Sequence, residues 1–522
     1  MAISANAVWE VRSTATAGNV NGGFFVTGAT GTDYSQQNAA QYALTGLTTA
    51  GAGAVIDYAS ASADMVGNGI KIISGTNFTA GWYQITSIVA NTSITVDRSC
   101  CTGAGASGVA NIGGAISLQH ASDQTFFNTP TAGNTIYIKS GTYTLGAVIS
   151  STVTGTQSNP YRITGYYQTR GDSPTTKATQ PNLIGPFYSG EVFQFWRNIC
   201  LIASSGNTGI DGGGILYQCT VINKDTAPNV AVYCAFNSSI IGCDISCYRG
   251  TGINPNADQI YVAYNYIHHC VNGVVTGTTA GSSFIGNIFE SISTTAISVT
   301  ASVSGPIAFT NNTFYGAASK FGTGISYANA TSRQQMILNN IFYGLTTAVN
   351  LSATTNCNLI DANNFYNCTT DVTNGTKNLL NVALDPGFTG VAEYTGTTAT
   401  TAGGVLTDSG ANFANVVDGR DYLYIVSGTG VTVGFYGISS HTSTTITPDL
   451  APGNNATADK VYKIIYGHDY KVGTNMKAVG WPGTFPGGYT TNYLDIGAAQ
   501  RVEPTGGGGG RSNNHLGIGR LG

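Results

Sequence analysis

The sequence predicts an all-β protein: a parallel β-helix of short strands stacked coil upon coil, carrying two copies of a small antiparallel β-module. Three observations predict it. An Asn-x-(Ile/Phe) unit returns every 22–28 residues, the residues around it fall into columns of constant character, and residues 69–97 match residues 422–449.

The repeated units are centred on Asn265, Asn287, Asn312, Asn340 and Asn363, at intervals of 22, 25, 28 and 23 residues. Cys243 and Cys219 continue the series upstream at intervals of 22 and 24, and Asn198 reads as an earlier member. With each centre counted as zero, position +2 is Val221, Ile245, Ile267, Phe289, Phe314, Phe342 and Phe365, an apolar column that must point inward. Position +5 (Cys270, Ile292, Ala317, Leu345, Cys368) is apolar again. Position +4 (His269, Ser291, Gly316, Gly344, Asn367) suits a corner where the chain bends. A small residue then precedes Ile or Val, as in Gly252-Ile253, Gly273-Val274, Ala296-Ile297, Gly324-Ile325 and Ala348-Val349. Each coil thus holds three short strands. Such strands bury nothing alone, but stacked at about 4.8 Å per coil each pairs in parallel with its copies above and below. The Asn column has a structural reading, a bent backbone with amides hydrogen-bonded along the axis, and a binding-code reading. The structural one is preferred.

The second repeat aligns Ser74-Gly75-Thr76 with Ser427-Gly428-Thr429, Gly81 with Gly434, Tyr83 with Tyr436 and Ile85 with Ile438, each displaced by 353 residues. Both copies alternate apolar and polar residues between Gly turns, the pattern of antiparallel strands. Three roles are open to them: capping the open ends of the helix, docking to another subunit or a particle, and sugar binding through Trp82 and Tyr83. The resulting organisation is an N-terminal arm (1–50), module copy 1 (51–120), the β-helix (121–392), module copy 2 inserted near the end (393–466), closing strands (467–500) and a Gly-rich tail (501–522). Five consecutive glycines make that tail a flexible tether. Arg511, His515 and Arg520 beyond them either dock on a neighbour or stay free.

Composition narrows the function classes. Charged residues are only 9% of the 522, against roughly 25% in ordinary domains, so the surface is built from Ser, Thr, Asn, Gln and Gly. A net charge of −4 offers no footprint for nucleic acid. No run of about 18 apolar residues predicts a membrane span, and the N-terminus lacks the pattern of a secretory signal, so synthesis in a cytoplasm is expected. The ten cysteines contain no C-x-x-C pair. Cys243, Cys247 and Cys270 with His268 or His269 suggest zinc, but the repeat places these cysteines as small buried hydrophobes. No metal and no cofactor is expected.

Residues 133–169 carry G-x-T-I-Y-I-x-x-G-T-Y, residues 385–388 read DPGF, and D-I-G-A closes at 495–498. In this order they resemble the right-handed parallel β-helix proteins of the pectate-lyase-like superfamily, over roughly residues 120–392 and 467–500. The N-terminal segment from Trp9 to Gly46 is similar to the openings of phage-encoded β-helix proteins. The resemblance implies a right-handed helix and a range of functions: lyases, hydrolases, adhesins and phage tailspikes.

Enzymes on this fold need clustered carboxylates, for Ca²⁺ or as acid and base. Here the carboxylates scatter over the columns: Asp244 at +1, Glu290 at +3, Asp361 at −2 and Asp371 at +8. The nearest candidate set is Asp244, Arg249, Asp258 and Glu290. Position +3, which should point outward, reads Ser246, His268, Glu290, Tyr315, Tyr343 and Tyr366. Stacked tyrosines are amphipathic contact surface, open to a subunit, a sugar or a covering loop. The leading expectation is a non-enzymatic virion protein of decoration, fibre or tailspike type, homotrimeric, with other virion proteins and host surface polysaccharide as partners. The alternatives are a tailspike depolymerase (polysaccharide lyase or glycoside hydrolase) and a glycan-binding adhesin.

Overall fold

The structure, a computed structural model, describes residues 7–13, 24–26, 42–113, 125–128, 390–472 and 497–499, together with most of 130–388. Among the described residues there is no α-helix, and no helix long and apolar enough to cross a membrane. The chain divides into two compact units, residues 1–204 with 208–220, and residues 205–207 with 221–522.

In the first unit, Ala7–Val11, Thr135–Lys139, Tyr161–Tyr166, Gln194–Arg197 and Gly214–Tyr217 lie side by side in parallel. Their register puts Trp9, Ile136, Ile163, Trp196 and Leu216 in one inward column, none more than 6% exposed. A second ladder runs through Gly141–Thr144, Pro181–Ile184 and Cys200–Ala203. Module copy 1 is a closed antiparallel barrel of six strands, from Tyr42–Thr49 to Gly105–Ile112. Its alternating Leu44, Ile56, Ile70, Ile72, Ile85, Ile94 and Ile112 fill one core.

In the second unit each coil has three faces. Tyr261–Ala263, Ser283–Ile285, Ile307–Thr310, Arg333–Leu338 and Asn356–Asp361 stack on the first. The second stacks the leading halves of Asp244–Pro255, Tyr266–Thr276 and Ile288–Val299, then Thr313–Tyr315, Ile341–Tyr343 and Asn364–Tyr366. The trailing halves of the long strands, with Thr323–Tyr327, Thr347–Asn350 and Thr370–Thr373, make the third. The +2 column is the core expected of it. Phe289, Phe314, Phe342 and Phe365 stack with ring centroids 5.0, 4.8 and 5.1 Å apart and planes within 5° of parallel. That offset-free spacing is the coil rise itself, near 4.8 Å, so the backbone and not ring preference sets it. Module copy 2 closes as a second six-stranded barrel, from Gly390–Ala402 to Asn455–Asp469.

The Asn column forms the expected ladder. Asn265, Asn287, Asn312, Asn340 and Asn363 have no solvent exposure. Each Oδ1 from Asn287 onward accepts both the backbone N–H and the side-chain Nδ2 of the Asn one coil earlier, at 2.9–3.0 Å. Each Nδ2 also donates to a carbonyl of the preceding coil, such as Phe284 for Asn312 (2.9 Å). Asn381 ends the series by accepting from Asn363.

Two details differ from the expectation. The bend is not made by the ladder Asn but by the residue before it: Gly242, Tyr264, Gly286, Asn311, Asn339 and Ala362 all have φ between 50° and 64°. A left-handed residue there turns the next side chain into the interior, where its amide is shielded from water. Asn198 is likewise one of these turning residues (φ 56°), equivalent to Gln218 (φ 53°), so Ile199 holds the zero position in that coil. Four of the five +4 residues, His269, Ser291, Gly344 and Asn367, turn the chain at φ 50–62°, while Gly316 does not adopt the left-handed region.

Candidate functional site

The +3 column exists as a continuous register, Ser246–His268–Glu290–Tyr315–Tyr343–Tyr366. Alternation along each strand turns these side chains away from the coil interior. The first four nevertheless do not meet solvent, because later residues of the same unit lie over them. Ser246, His268 and Glu290 are at most 1% exposed and Tyr315 is 7% exposed. Tyr315 and Tyr343 stack at 4.9 Å, with Tyr470 5.3 Å from Tyr315 and Phe388 5.8 Å from Tyr343. Tyr366 extends the row 5.7 Å beyond Tyr343, and both are half-buried. The covering partner is thus the chain itself, with Phe388 preceding barrel 2 and Tyr470 following it.

Beside the tyrosines lies a buried polar cluster. Glu290 Oε2 accepts from the Tyr266 hydroxyl at 2.7 Å, from His468 Nδ1 at 2.7 Å and from the Tyr470 hydroxyl. The other ring nitrogen of His468 contacts Asp421 Oδ1 at 2.9 Å, and Asp421 in turn accepts from Arg420 Nε at 2.7 Å and from the Val417 backbone N–H at 2.8 Å. On the coil side, His269 Nε2 is 3.7 Å from Glu290 Oε1. The Nδ1 atoms of His268 and His269 are 2.6 Å apart, and His268 Nε2 is 2.6 Å from Asp244 Oδ1.

Burial alone would raise the Glu290 carboxyl, but the charge of His468, its hydrogen bond and the nearby His269 hold it far below the usual carboxylate range. Burial opposes the charge on His468 too, yet Glu290 and Asp421 on its two sides push it up to about 10. Asp421 is lowered against its own burial by the bonds from His468 and Arg420. His269, buried and beside His268, is held well below the ordinary imidazole value. The cluster is therefore an ion pair, Glu290⁻ with His468⁺, backed by Asp421⁻ and Arg420⁺.

Of the four candidate catalytic residues, the fold connects two. Asp244, its side chain 50% exposed, reaches Glu290 through His268 and His269. Arg249 points instead to barrel 2, its guanidinium 4.6 Å from the Tyr436 ring centroid and donating to the Phe435 carbonyl at 2.9 Å. Asp258 lies in the segment between strands Asp244–Pro255 and Tyr261–Ala263, on another part of the coil. In barrel 1, Trp82 carries Lys71 Nζ 4.0 Å from its ring centre, and Tyr83 carries the Arg98 guanidinium at 4.3 Å. Both rings are occupied by cations of their own barrel. Arg511 and Arg520 lie outside the described residues. Cys243, Cys247 and Cys270 are buried, with their sulfurs directed at backbone carbonyls 3.1–3.5 Å away.

Sequence reading missed His468, Asp421, Arg420 and Tyr470. No periodic signal marked them: His468 turns through the left-handed region (φ 41°) at the end of strand Asn455–Asp469, and Tyr470 lies just beyond it.

No family model matches the sequence, and no curated protein matches it. Among solved structures, it is similar to a mannuronic-acid-specific family 6 polysaccharide lyase from human gut microbiota, at 11% identity over 51% of this chain and 78% of that one, with a TM-score of 0.33. Pectate lyase Pel9A matches at 14% identity over 72% and 90% of the two chains, TM-score 0.31. The tailspike protein of E. coli bacteriophage HK620, solved with a pentasaccharide, matches at 14% identity over 68% and 92%, TM-score 0.27. None of these likenesses assigns a residue a role in this chain.

Proposed function

We infer that the chain is a non-enzymatic structural protein of a phage particle, a β-helix of decoration, fibre or tailspike type that serves assembly or host-surface attachment. One observation carries the non-enzymatic part. Glu290, the candidate carboxylate set deepest among the coils, has no solvent exposure and spends its charge on His468 and two tyrosine hydroxyls beneath barrel 2. A glycosidic bond needs two carboxylates that reach the sugar from either side; Asp244 alone of this cluster offers an exposed one. The particle assignment is supported by the N-terminal resemblance and by the nearly uncharged polar surface. Assembly as a homotrimer belongs to this reading.

The second reading, a depolymerase acting on host glycans, is favoured by the half-exposed Asp244 with His268 at 2.6 Å, an acid–base pair open to solvent on one side. Incubation with host capsule or lipopolysaccharide separates the two. Release of oligosaccharide by the wild type and its loss in Asp244→Asn would overturn the structural reading. Binding without release, or no binding, with the protein recovered in purified particles, supports it. Sedimentation should give three times the 53.8 kDa chain mass.

A further inference from the structure

The two barrels share a socket that one of them fills from within and the other from outside. In barrel 1 the Asp97 carboxylate accepts the Gln84 backbone N–H at 2.9 Å, and Tyr83, anchored by its hydroxyl to the Thr79 carbonyl at 2.9 Å, forms the floor. Arg98 lies on that floor, 4.3 Å from the ring centre, paired to Asp97 at 3.1 Å and donating to the Trp82 carbonyl. Barrel 2 repeats every wall. Asp449 accepts the Gly437 N–H at 2.9 Å, Tyr436 is anchored to the Thr432 carbonyl at 2.5 Å, and the Phe435 carbonyl stands where that of Trp82 does.

The residue after Asp449, however, is Leu450, packed on the barrel core. The guanidinium on the Tyr436 floor belongs to Arg249 of the coil strand Asp244–Pro255, 4.6 Å from the ring centre and 2.9 Å from the Phe435 carbonyl. Asp449, released from an arginine of its own barrel, takes the Tyr248 hydroxyl at 3.0 Å and the Lys224 ammonium.

We propose that this Tyr–carbonyl–Asp socket is the docking element of the module, that its partner is an arginine presented by a β-helix coil, and that Arg98 is a built-in plug closing copy 1 to that partner. A chain with two barrels of one design faces a choice of which barrel seats on Arg249. A resident arginine resolves it by repulsion and by occupancy, a device against the wrong pairing as much as for the right one. Leu450 is the corresponding open state: it fills apolar space and leaves the carbonyl and ring free for a guanidinium from outside. Neither residue is explained by barrel folding alone, since each barrel closes with the opposite choice.

The test uses the whole 522-residue chain and hydrogen exchange. Leu450→Arg should displace Arg249 and raise exchange at the amides of Tyr248, Arg249 and Gly250 about ten-fold, the loss expected for one cation–π contact and its hydrogen bond. Arg249→Leu should do the same, and the double variant should rise no further, because both changes remove one contact. Amides of Leu423 and Ile464 in the barrel core report whether barrel 2 still folds. The plug is tested by Arg98→Leu combined with Leu450→Arg, which frees Arg249 and opens socket 1. Concentration-dependent self-association is expected of this variant and not of Leu450→Arg alone, with Ile70 and Ile112 amides checking barrel 1. Unchanged exchange in Leu450→Arg, additive effects in the double variant, or no association in the swapped one would each overturn the proposal.

Discussion

Glu290→Gln removes one charge of a buried ion pair and almost nothing else, because the amide keeps the shape and one oxygen for the Tyr266 and Tyr470 hydroxyls. His468, 1% exposed, is left protonated with Asp421, 2.9 Å away, as its one close carboxylate among the described residues. Both members being shielded from solvent, no screening discount applies, and breaking such a pair from one side costs about 3–5 kcal/mol. The cost falls on the contact of Glu290 with the strand Asn455–Asp469 and its extension to Tyr470, not on the Asn ladder. At 1.36 kcal/mol per factor of ten, amides near His468 and Tyr470 should lose protection by roughly 10²- to 10⁴-fold. Hydrogen exchange read by mass spectrometry resolves this from the rest of the chain, which a single unfolding midpoint in a two-unit protein does not. Barrel-core amides and those of Asn312 and Asn340 should stay near wild type. Protection at His468 reduced less than about ten-fold, or lost equally across the second unit, would refute the argument that Glu290 acts as a local clamp.

Three further outcomes follow from the same geometry. His468 is raised by folding, so its contribution is full below its ordinary value of 6.5 and fades as pH climbs toward about 10; Glu290 is depressed, so its contribution is full above its ordinary 4.5 and is lost on acidification. His269, also depressed, adds a penalty below 6.5, so protection near His468 should peak close to neutral pH, and Glu290→Gln should abolish most of its alkaline decline. Asn312→Ala orphans the Asn287 backbone and amide donors and the Phe284 carbonyl, which should destabilise the second unit by at least about 3 kcal/mol at 1–3 kcal/mol per buried orphan; exchange of the Asn287 and Asn312 coil amides measures it. Asn198→Gly should shift thermal stability by less than about 1 kcal/mol, since its φ of 56° suits glycine and its side-chain O and N have no hydrogen-bond partner.

The contrast between Asn312 and Asn198 shows what was legible and what was not. Both are Asn before an apolar β-branched or aromatic stretch, and a periodic reading treats them alike. The inward Phe and Ile columns were readable because burial imposes one chemistry on every coil. The ladder was readable because a side-chain amide carries a donor and an acceptor on one planar group, so identical residues one coil apart can bond to each other along the axis. The turning position was not, because a left-handed residue followed by a strand is satisfied by Gly, Asn, Tyr, Gln or Ala, and a column of mixed chemistry looks like no column. The outward +3 position was visible as a register but not as a buried site, for what covers it arrives from Phe388, Asp421, His468 and Tyr470, whose spacing obeys the barrel's strands and not the coil's. Periodicity encodes contacts between a coil and its copy. A contact between a coil and an inserted module leaves only single residues that break their column's pattern, and Glu290 and Arg249, two charges in a chain where 9% of residues are charged, are such breaks. Their rarity was the readable sign. What packs against each is what supports the docking role proposed above: a histidine held between two carboxylates over Glu290, and a tyrosine ring facing Arg249.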